Sequence, residues 1–334
     1  MSTMTNVPEA MLRSELMSRR DRLEALAGTG TRLSLEALIA EVDAALGRLD
    51  AGTYGLCDVC HEPIEADRLA ADPLVRVCLD HLTPGQRTQL ERDLELAGRI
   101  QAALLPPRQV VLPGWDLHYE YVPAGVVSGD YCDVIAGDGG STSVVIGDVS
   151  GKGVAASLLM SNLHALFRSL AAAAVPFPEL VARVNSIFCA STLPSSFATL
   201  ACAALDAWGR AEICNAGHCP PLVVSGPRVR AIEPTGTAVG IFCDGEFGVT
   251  PVQLREGDLL VLYTDGLSEA FNDVGEEFGV ERLERILAAR WNVPARDVAR
   301  ACLAEAQSFR GGRPPHDDLT LVVVRRTARE GMPA

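Results

Sequence analysis

Basic residues are in the minority. Lys and Arg number 29 against 43 Asp and Glu, a formal charge of −14, whereas binding to a phosphate backbone depends on basic contacts. Direct nucleic-acid binding is therefore not expected. Long unbroken apolar runs are also missing. The most apolar stretch, Val154–Val175, carries Asn162, His164 and Arg168, which a bilayer would penalise, so it reads as a buried helix and no membrane association is expected. Met1–Leu12 has neither the basic start nor the apolar core of a secretory signal. Pro and Gly follow no collagen-like period. The expectation is a cytoplasmic protein whose 334 residues make two or three domains.

Cysteine, by contrast, is plentiful. Ten cysteines in a chain without export features read as reduced thiols. Seven of them (Cys132, Cys189, Cys202, Cys214, Cys219, Cys243, Cys302) have no metal-like spacing and lie mostly among apolar residues, as small core hydrophobes do.

Four acidic sites stand at the ends of apolar runs: Val127-Ser128-Gly129-Asp130, Gly147-Asp148-Val149, Tyr263-Thr264-Asp265-Gly266 and His316-Asp317-Asp318. The neighbouring runs Thr142–Ile146, Asp258–Leu262 and Leu319–Val324 read as buried strands. A single Asp-Gly is most simply a turn. Four such sites with glycines beside them point further, because carboxylates seldom go inside unless paired or metal-bound. Asp130, Asp148, Asp265 and Asp317 are thus candidates for one hard-cation centre, and oxygen-only ligation favours Mg²⁺ or Mn²⁺.

The N-terminal part reads differently. Two helices are expected at 8–26 and 34–50, broken at Gly28-Thr29-Gly30-Thr31, with Ser34 as candidate N-cap of the second. Leu35, Leu38, Ile39, Val42, Ala45, Leu46 and Leu49 form an apolar stripe at helical spacing, to be buried on the first helix or on another subunit. Cys57-x2-Cys60 and Cys78-x2-His81 then have the spacing of two knuckles of one tetrahedral zinc site. So small a unit would draw folding energy from the ion. Residues 52–82 resemble the DksA/TraR-type zinc finger through Gly52-Thr53-Tyr54-Gly55, Cys57, Cys60, Ile64, Arg68-Leu69-Ala70-Ala71, Pro73 and Cys78. His61 stands where that family usually has glycine, and His81 where it has its last cysteine. The resemblance implies contact with RNA polymerase, although this hairpin is shorter and a structural or docking role is the simpler reading. An amphipathic helix follows over 82–105, with Leu90, Leu94, Leu96, Ile100 and Leu104 on one side. It would pair in a homodimer or pack on its own catalytic domain.

From Leu104 to Arg325 the chain resembles the SpoIIE/RsbU branch of the PPM (PP2C-like) serine/threonine phosphatases. The resemblance rests on Leu104-Leu105-Pro106, Gly129-Asp130-Tyr131 with Asp133, Gly147-Asp148-Val149-Ser150-Gly151-Lys152-Gly153, Asn215-Ala216-Gly217-His218, Tyr263-Thr264-Asp265-Gly266-Leu267-Ser268-Glu269-Ala270 and Asp317-Asp318-Leu319-Thr320. It implies an α+β fold of two antiparallel sheets sandwiched between helices. The expected domains are a helical hairpin over 1–51, the finger over 52–82, a linker helix over 83–107, the phosphatase domain over 108–328 and a tail over 329–334.

The same resemblance implies a dinuclear centre. Asp130, Asp148, Asp265 and Asp317 would be both ligands and catalytic residues, Asp148 would bridge the ions, and the Val149 carbonyl would add an oxygen. Asp318 would support the turn or reach the metal, and Gly129, Gly147 and Gly266 would let the backbone approach the ions. Cys132 lacks a neighbouring His base, so a thiol nucleophile is not expected. Ser150 stands where related enzymes place a histidine, which leaves metal-bound water as the proton donor; His164 and His218 are secondary candidates, for which helix packing and a turn role respectively are the simpler readings. The branch commonly acts on a phosphorylated anti-anti-sigma (STAS) protein, which makes such a protein the expected partner and sigma-factor control the expected pathway. The alternative is a transcription-associated protein that docks through its finger.

Overall fold

The computed structural model describes residues 9–27, 32–107, 110, 112–137, 141–171 and 175–328. The expected Gly28–Thr31 break and the 329–334 tail lie outside them. By internal contacts the chain divides into two units, Met1–Asp93 and Leu94–Ala334, each taken separately below.

In the first unit, α1 (Glu9–Ala27) and α2 (Arg32–Asp50) form a hairpin. Val42, Ala45 and Leu49 of α2 bury against Leu12 and Leu16 of α1, so the apolar stripe finds its partner within the chain. α2 begins at Arg32. Ser34 is therefore inside the first turn and is not the N-cap. The finger carries the short helix α3 (Ala66–Ala71) and a 3-10 turn at Leu79–His81. It is tied to the hairpin by Arg48 of α2, which donates to the Val75 carbonyl, and by Tyr54 and Leu74, which pack on the hairpin core.

Helix α4 (Pro84–Leu104) starts with proline at its first position and Thr83 before it. The Thr83 Oγ1 accepts from Gln86 N–H at 3.3 Å, while Gln86 Oε1 accepts from the Thr83 N–H at 3.1 Å. This is a reciprocal capping box. The boundary between the two units falls within α4.

Among the described residues, the second unit has ten strands in two sheets. Its elements run β1 (Trp115–Val122), β2 (Asp130–Ala136), β3 (Thr142–Val149), α5 (Gly153–Leu170), α6 (Phe177–Ser191), β4 (Ala198–Leu205), β5 (Arg210–Ala216), β6 (Leu222–Ser225), β7 (Arg228–Ala231), β8 (Thr250–Gln253) and β9 (Leu259–Tyr263). Then come α7 (Asp265–Ser268), α8 (Val280–Arg290), α9 (Ala295–Phe309) and β10 (Leu319–Arg326). The sheets are ordered β1-β10-β9-β6-β7 and β2-β3-β4-β5-β8, with antiparallel pairing throughout.

Alternation along the strands produces four layers. Val144 and Ile146 of β3 meet Leu260, Leu262, Val322 and Val324 between the sheets. Val145 and Val149, with side chains of opposite direction, pack under Met160, Leu163 and Phe167 of α5. Leu319, Leu321 and Val323 pack likewise under Leu283 of α8 and Val298 and Cys302 of α9. Burial on both faces explains why these strands read as continuous apolar runs, and the α+β sandwich is as expected.

Strand β2 gives no continuous apolar signal in the sequence, because buried Asp130 and Asp133 interrupt it. One expectation about the cysteines fails. Cys189 and Cys243 are not separate core thiols. They form a disulfide between the end of α6 and the loop before β8, with Cα atoms 5.4 Å apart. Cys132, Cys202, Cys214 and Cys302 are free and buried, as a small-hydrophobe role requires. Among the described residues, no helix is long and apolar enough to cross a membrane.

Candidate functional site

The β2–β3 register sets Asp130 directly opposite Asp148. Asp265 follows β9 as the first residue of α7, and Asp317 lies just before β10, which pairs with β9. Thus the two sheets bring together the strand ends that carry all four aspartates.

Asp130 is buried, and its Oδ2 accepts hydrogen bonds from the hydroxyls of Thr264 at 3.0 Å and Thr320 at 2.5 Å. Among the described residues, Oδ1 makes no hydrogen bond. Burial, followed by the charges of Asp148 and Asp318, holds the Asp130 carboxyl well above the usual carboxylate range despite those hydroxyls. Asp148 is pushed up to about 7, first by burial and then by Asp265, Asp317 and Asp318. Asp265 is raised by burial and by Asp317.

One cation reaches this crowd of like charges through a side-chain hydrogen bond: Lys152 Nζ stands 2.8 Å from Asp317 Oδ2. Such a concentration of carboxylates is stabilised by bound cations. A cation is also what the all-oxygen donor set suits.

The carboxylates are not gathered around a single point. Among the described residues, only Cys57, Cys60, Cys78 and His81 form a group of three or more ligand atoms all within 4.8 Å of one another. Ligands on opposite ions of a two-metal site can stand roughly 8 Å apart, given metal–oxygen distances near 2.1 Å and ion separations near 4 Å.

Asp318 has a different role from its neighbour. Its Oδ1 accepts from Ala124 N–H and its Oδ2 from Gly129 N–H, each at 2.8 Å. It clamps the loop before β2 onto the start of β10. Gly129 is held so closely that a Cβ there would lie 3.2 Å from the Val149 carbonyl oxygen and 3.5 Å from Asp148 Oδ1. These two oxygens thus converge beside Gly129. At Gly266 a Cβ would strike the Asp318 carbonyl, and at Gly147 the side chain of Leu200. Those two glycines make room for the protein itself.

The two candidate proton donors have different surroundings. His164 faces the buried Asp133, which Arg168 holds in a bidentate pair at 2.6 and 2.8 Å. His218 is buried, and its Nδ1 is 2.8 Å from Thr199 Oγ1; burial depresses it to about 4. Thr199 lies opposite Asp148 in the β3–β4 register. His218 is thus joined through Thr199 to the strand that pairs with the one bearing Asp148.

In the finger, Cys78 Sγ lies 3.1 Å from His81 Nδ1, Cys57 Sγ 3.8 Å from the same atom, and Cys60 and Cys78 sulfurs 3.9 Å apart. A tetrahedral zinc with bonds of about 2.3 Å to sulfur requires sulfur–sulfur edges of about 3.8 Å. Against the effect of burial, N–H groups of Cys60, Cys78 and Val59 bring the Cys57 thiol down to about 6, toward the thiolate a metal binds. His61 has φ 61°, the left-handed region that favours glycine. This accounts for the glycine common at that position.

Several participants escaped the sequence reading. Lys152, Thr264 and Thr320 were visible only as members of motifs. Gln101 of α4 is buried and bonds to Ser128, with no signal in the helix pattern to mark it.

Comparison with known proteins bears on both units. Residues 138–327 match the family model described as Stage II sporulation protein E (SpoIIE), and residues 52–80 match the prokaryotic dksA/traR C4-type zinc finger. The chain is 27% identical over 250 residues to the phosphoserine phosphatase RsbU of Bacillus subtilis, covering 72% of each. It is 27% identical over 263 residues to protein IcfG of Synechocystis sp., covering 70% of this chain but 41% of that protein. The chain thus spans less than half of that relative. Among solved structures, the RsbU and RsbW domains of a Mycobacterium tuberculosis protein align with a TM-score of 0.58 and 31% identity, covering 68% of this chain and 63% of that one. The SiaA PP2C domain of Pseudomonas aeruginosa aligns with a TM-score of 0.64 and 23% identity, covering 72% and 98%. The latter is a likeness of fold.

Proposed function

Since the chain belongs to the SpoIIE family of PPM-type phosphatases, we propose that it hydrolyses phosphoserine or phosphothreonine on a regulatory protein at a dinuclear metal centre. The observation that carries this reading is the convergence of Asp130, Asp148, Asp265 and Asp317 from two facing sheets, with Asp148 pushed up to about 7 by burial and its acidic neighbours.

In the proposed reaction the oxygen of water forms a bond to phosphorus while the ester P–O bond breaks, releasing the serine or threonine hydroxyl and inorganic phosphate. Two Mn²⁺ or Mg²⁺ ions, when bound, supply a lowered pKa for water and neutralise charge on the phosphoryl oxygens. The protein's part is positioning. Thr264 and Thr320 fix Asp130 through one oxygen and leave Oδ1 for a cation. Asp148 and the Val149 carbonyl beside it would contribute further oxygens. Asp265 and Asp317 would complete the set, with Lys152 as the counter-charge that cations displace. Asp318 holds the loop that bears Gly129 against the site. Helix α5 begins only five residues after Asp148, so its movement would shift the Asp148 carboxylate.

The expected substrate is a phosphorylated STAS-type protein of a sigma-factor pathway. Cys57, Cys60, Cys78 and His81 would hold one structural Zn²⁺, and their unit would serve as a docking or dimerisation module in the cytoplasm. Leu90, Leu96 and Ile100 remain exposed on α4, which supports pairing of that helix between copies. RNA polymerase is the competing partner for the finger, and co-purification with the full-length protein distinguishes the two.

The test of the reaction is removal and return of metal. Phosphate release from a serine-phosphorylated STAS protein should cease after verified metal removal and return with Mn²⁺ or Mg²⁺. Full turnover by the stripped protein would sink the mechanism.

A further inference from the structure

A cavity of about 500 Å³ opens beside the aspartate cluster. Asp265, Glu269, Phe271, Arg310, His316 and Asp317 are among the residues that line it. One wall is the segment that begins with α7 and the other is the loop between α9 and β10. The cavity's lining is thus of mixed character. Asp265 and Asp317 belong to the proposed metal centre, whereas Arg310 belongs to no feature of the reaction described so far.

Arg310 is only 6% exposed. Its Nε and Nη1 are enclosed and have no hydrogen-bond partner, and among the described residues its guanidinium makes no ion pair. Nearby Arg313 is different, since it is exposed and paired with Asp273 at 2.7 Å. An enclosed guanidinium without an acceptor is costly. Such groups are normally paired, and the exceptions call for an explanation.

Position at the C-terminal end of α9 explains why a positive residue is favoured there. It does not explain enclosure without a partner, because an exposed Arg would serve the helix equally well. Glu269 lines the same cavity but is exposed and forms no ion pair with Arg310. These nitrogens thus find no acceptor among the described residues, although the residue lines an open cavity.

We propose that Arg310 is an oxyanion receptor, which holds an anionic group of the substrate in the cavity adjoining the metal centre. The inference rests on the phosphatase reading for the identity of that substrate. The planar fork of a guanidinium matches paired oxygens of phosphate or carboxylate. Because the cavity shares Asp265 and Asp317 with the metal centre, an oxyanion held there is next to the reacting group. Two sources share this chemistry: the phosphoryl group itself, and an acidic side chain beside the phosphoserine. Glu269 and the two aspartates oppose an anion, so occupancy depends on cations held by the aspartates.

The direct probe is inorganic phosphate added to the full-length protein in excess Mg²⁺, read by thermal unfolding. Phosphate should raise the Tm of wild type. Arg310→Met should lose this response while being at least as stable without phosphate, because it removes an unpaired enclosed charge; a residue with a merely structural role would behave in the opposite way. Arg310→Lys keeps the charge without the fork and should retain a reduced response, which also covers a failure of the Met variant to fold. Equal phosphate responses in wild type and the variants, or none in wild type, would overturn the assignment.

Kinetics then separate the two sources. A fall in kcat/KM of about 10–100-fold on para-nitrophenyl phosphate and phosphopeptides alike identifies the phosphoryl group. A fall confined to a phosphopeptide with Glu beside the phosphoserine, spared when Gln replaces it, identifies the carboxylate. A phosphate response in a wild type that releases no phosphate would fault the phosphatase reading alone. Turnover without a phosphate response would fault Arg310 alone.

Discussion

Gln101 and Ser128 exchange two hydrogen bonds. The Gln101 Nε2 donates to the Ser128 carbonyl at 2.6 Å, and Ser128 N–H donates to Gln101 Oε1 at 2.9 Å. Ser128 Oγ in turn accepts from Asp130 N–H at 3.1 Å. Close approach of α4 is secured at Gly98, where a Cβ would lie 2.6 Å from the Val126 carbonyl oxygen. The end of α4 is thereby linked, through one side chain, to the strand that presents Asp130.

Gln101→Leu should break that link. It leaves two buried backbone groups of Ser128 unpaired, at a cost of about 1–3 kcal/mol each way they remain dry. Reduced stability in urea, together with weaker Mn²⁺ affinity by calorimetry, is the expected result. Gln101→Glu keeps the acceptor and should recover part of both. Unchanged metal affinity in the Leu variant would reduce α4 to a passive connection.

Arg168→Ala should be destabilising for another reason. Asp133 is fully buried and depends on the bidentate Arg168 pair, while Arg168 itself remains 43% exposed. Removing the cation strands a carboxylate under α5, which costs about 3 kcal/mol. Chemical denaturation should detect the loss. Asp133→Asn in the same background should recover part of it, because the neutral amide is less costly to bury.

The pH dependence of the metal-free protein follows from Asp148, which is pushed up to about 7. An unfolded Asp titrates near 4, so over that interval the folded chain binds more protons, and stability falls as pH rises through about 7. Asp148→Asn does not titrate. Without metal, it should melt above wild type at about pH 8, with the gap narrowing toward about pH 5. Added Mn²⁺ should stabilise wild type far more than the variant. Parallel pH responses of the two proteins would show that Asp148 is not the group under stress.

Zinc in the finger predicts a stoichiometry. One zinc per chain should be released by thiol modification and detected with a chromogenic chelator. Cys78→Ser should lose it, with the first unit becoming sensitive to protease, because the ion provides folding energy that its small core does not. Retention of one zinc by Cys78→Ser would place the ion elsewhere.

The parts legible from sequence are those in which local pattern and tertiary role agree. β3, β9 and β10 announce themselves as apolar runs because both faces are covered. β2 does not, since Asp130 and Asp133 are buried polar residues whose partners, Thr320 and Arg168, are distant in the chain. β7, with Arg228 and Arg230, and β8, with Pro251, are short edge strands whose composition resembles loops. Aspartates beside strands and glycines could be picked out as a group. The clamp from Asp318 to Gly129 spans 189 residues, and Arg310 gains interest only from its enclosure. The Cys189–Cys243 pairing has the same character, because it joins α6 to a loop 54 residues away.

The central claim is that the four strand-borne aspartates form the phosphate-hydrolysing centre. Its most direct measurement is inorganic phosphate release from a serine-phosphorylated STAS-type protein, at saturating Mn²⁺, by wild type, Asp148→Asn and Asp265→Asn, all verified as folded. Wild type should turn the substrate over, and each variant should fall by about 100-fold or more. Equal release by all three proteins would contradict the account.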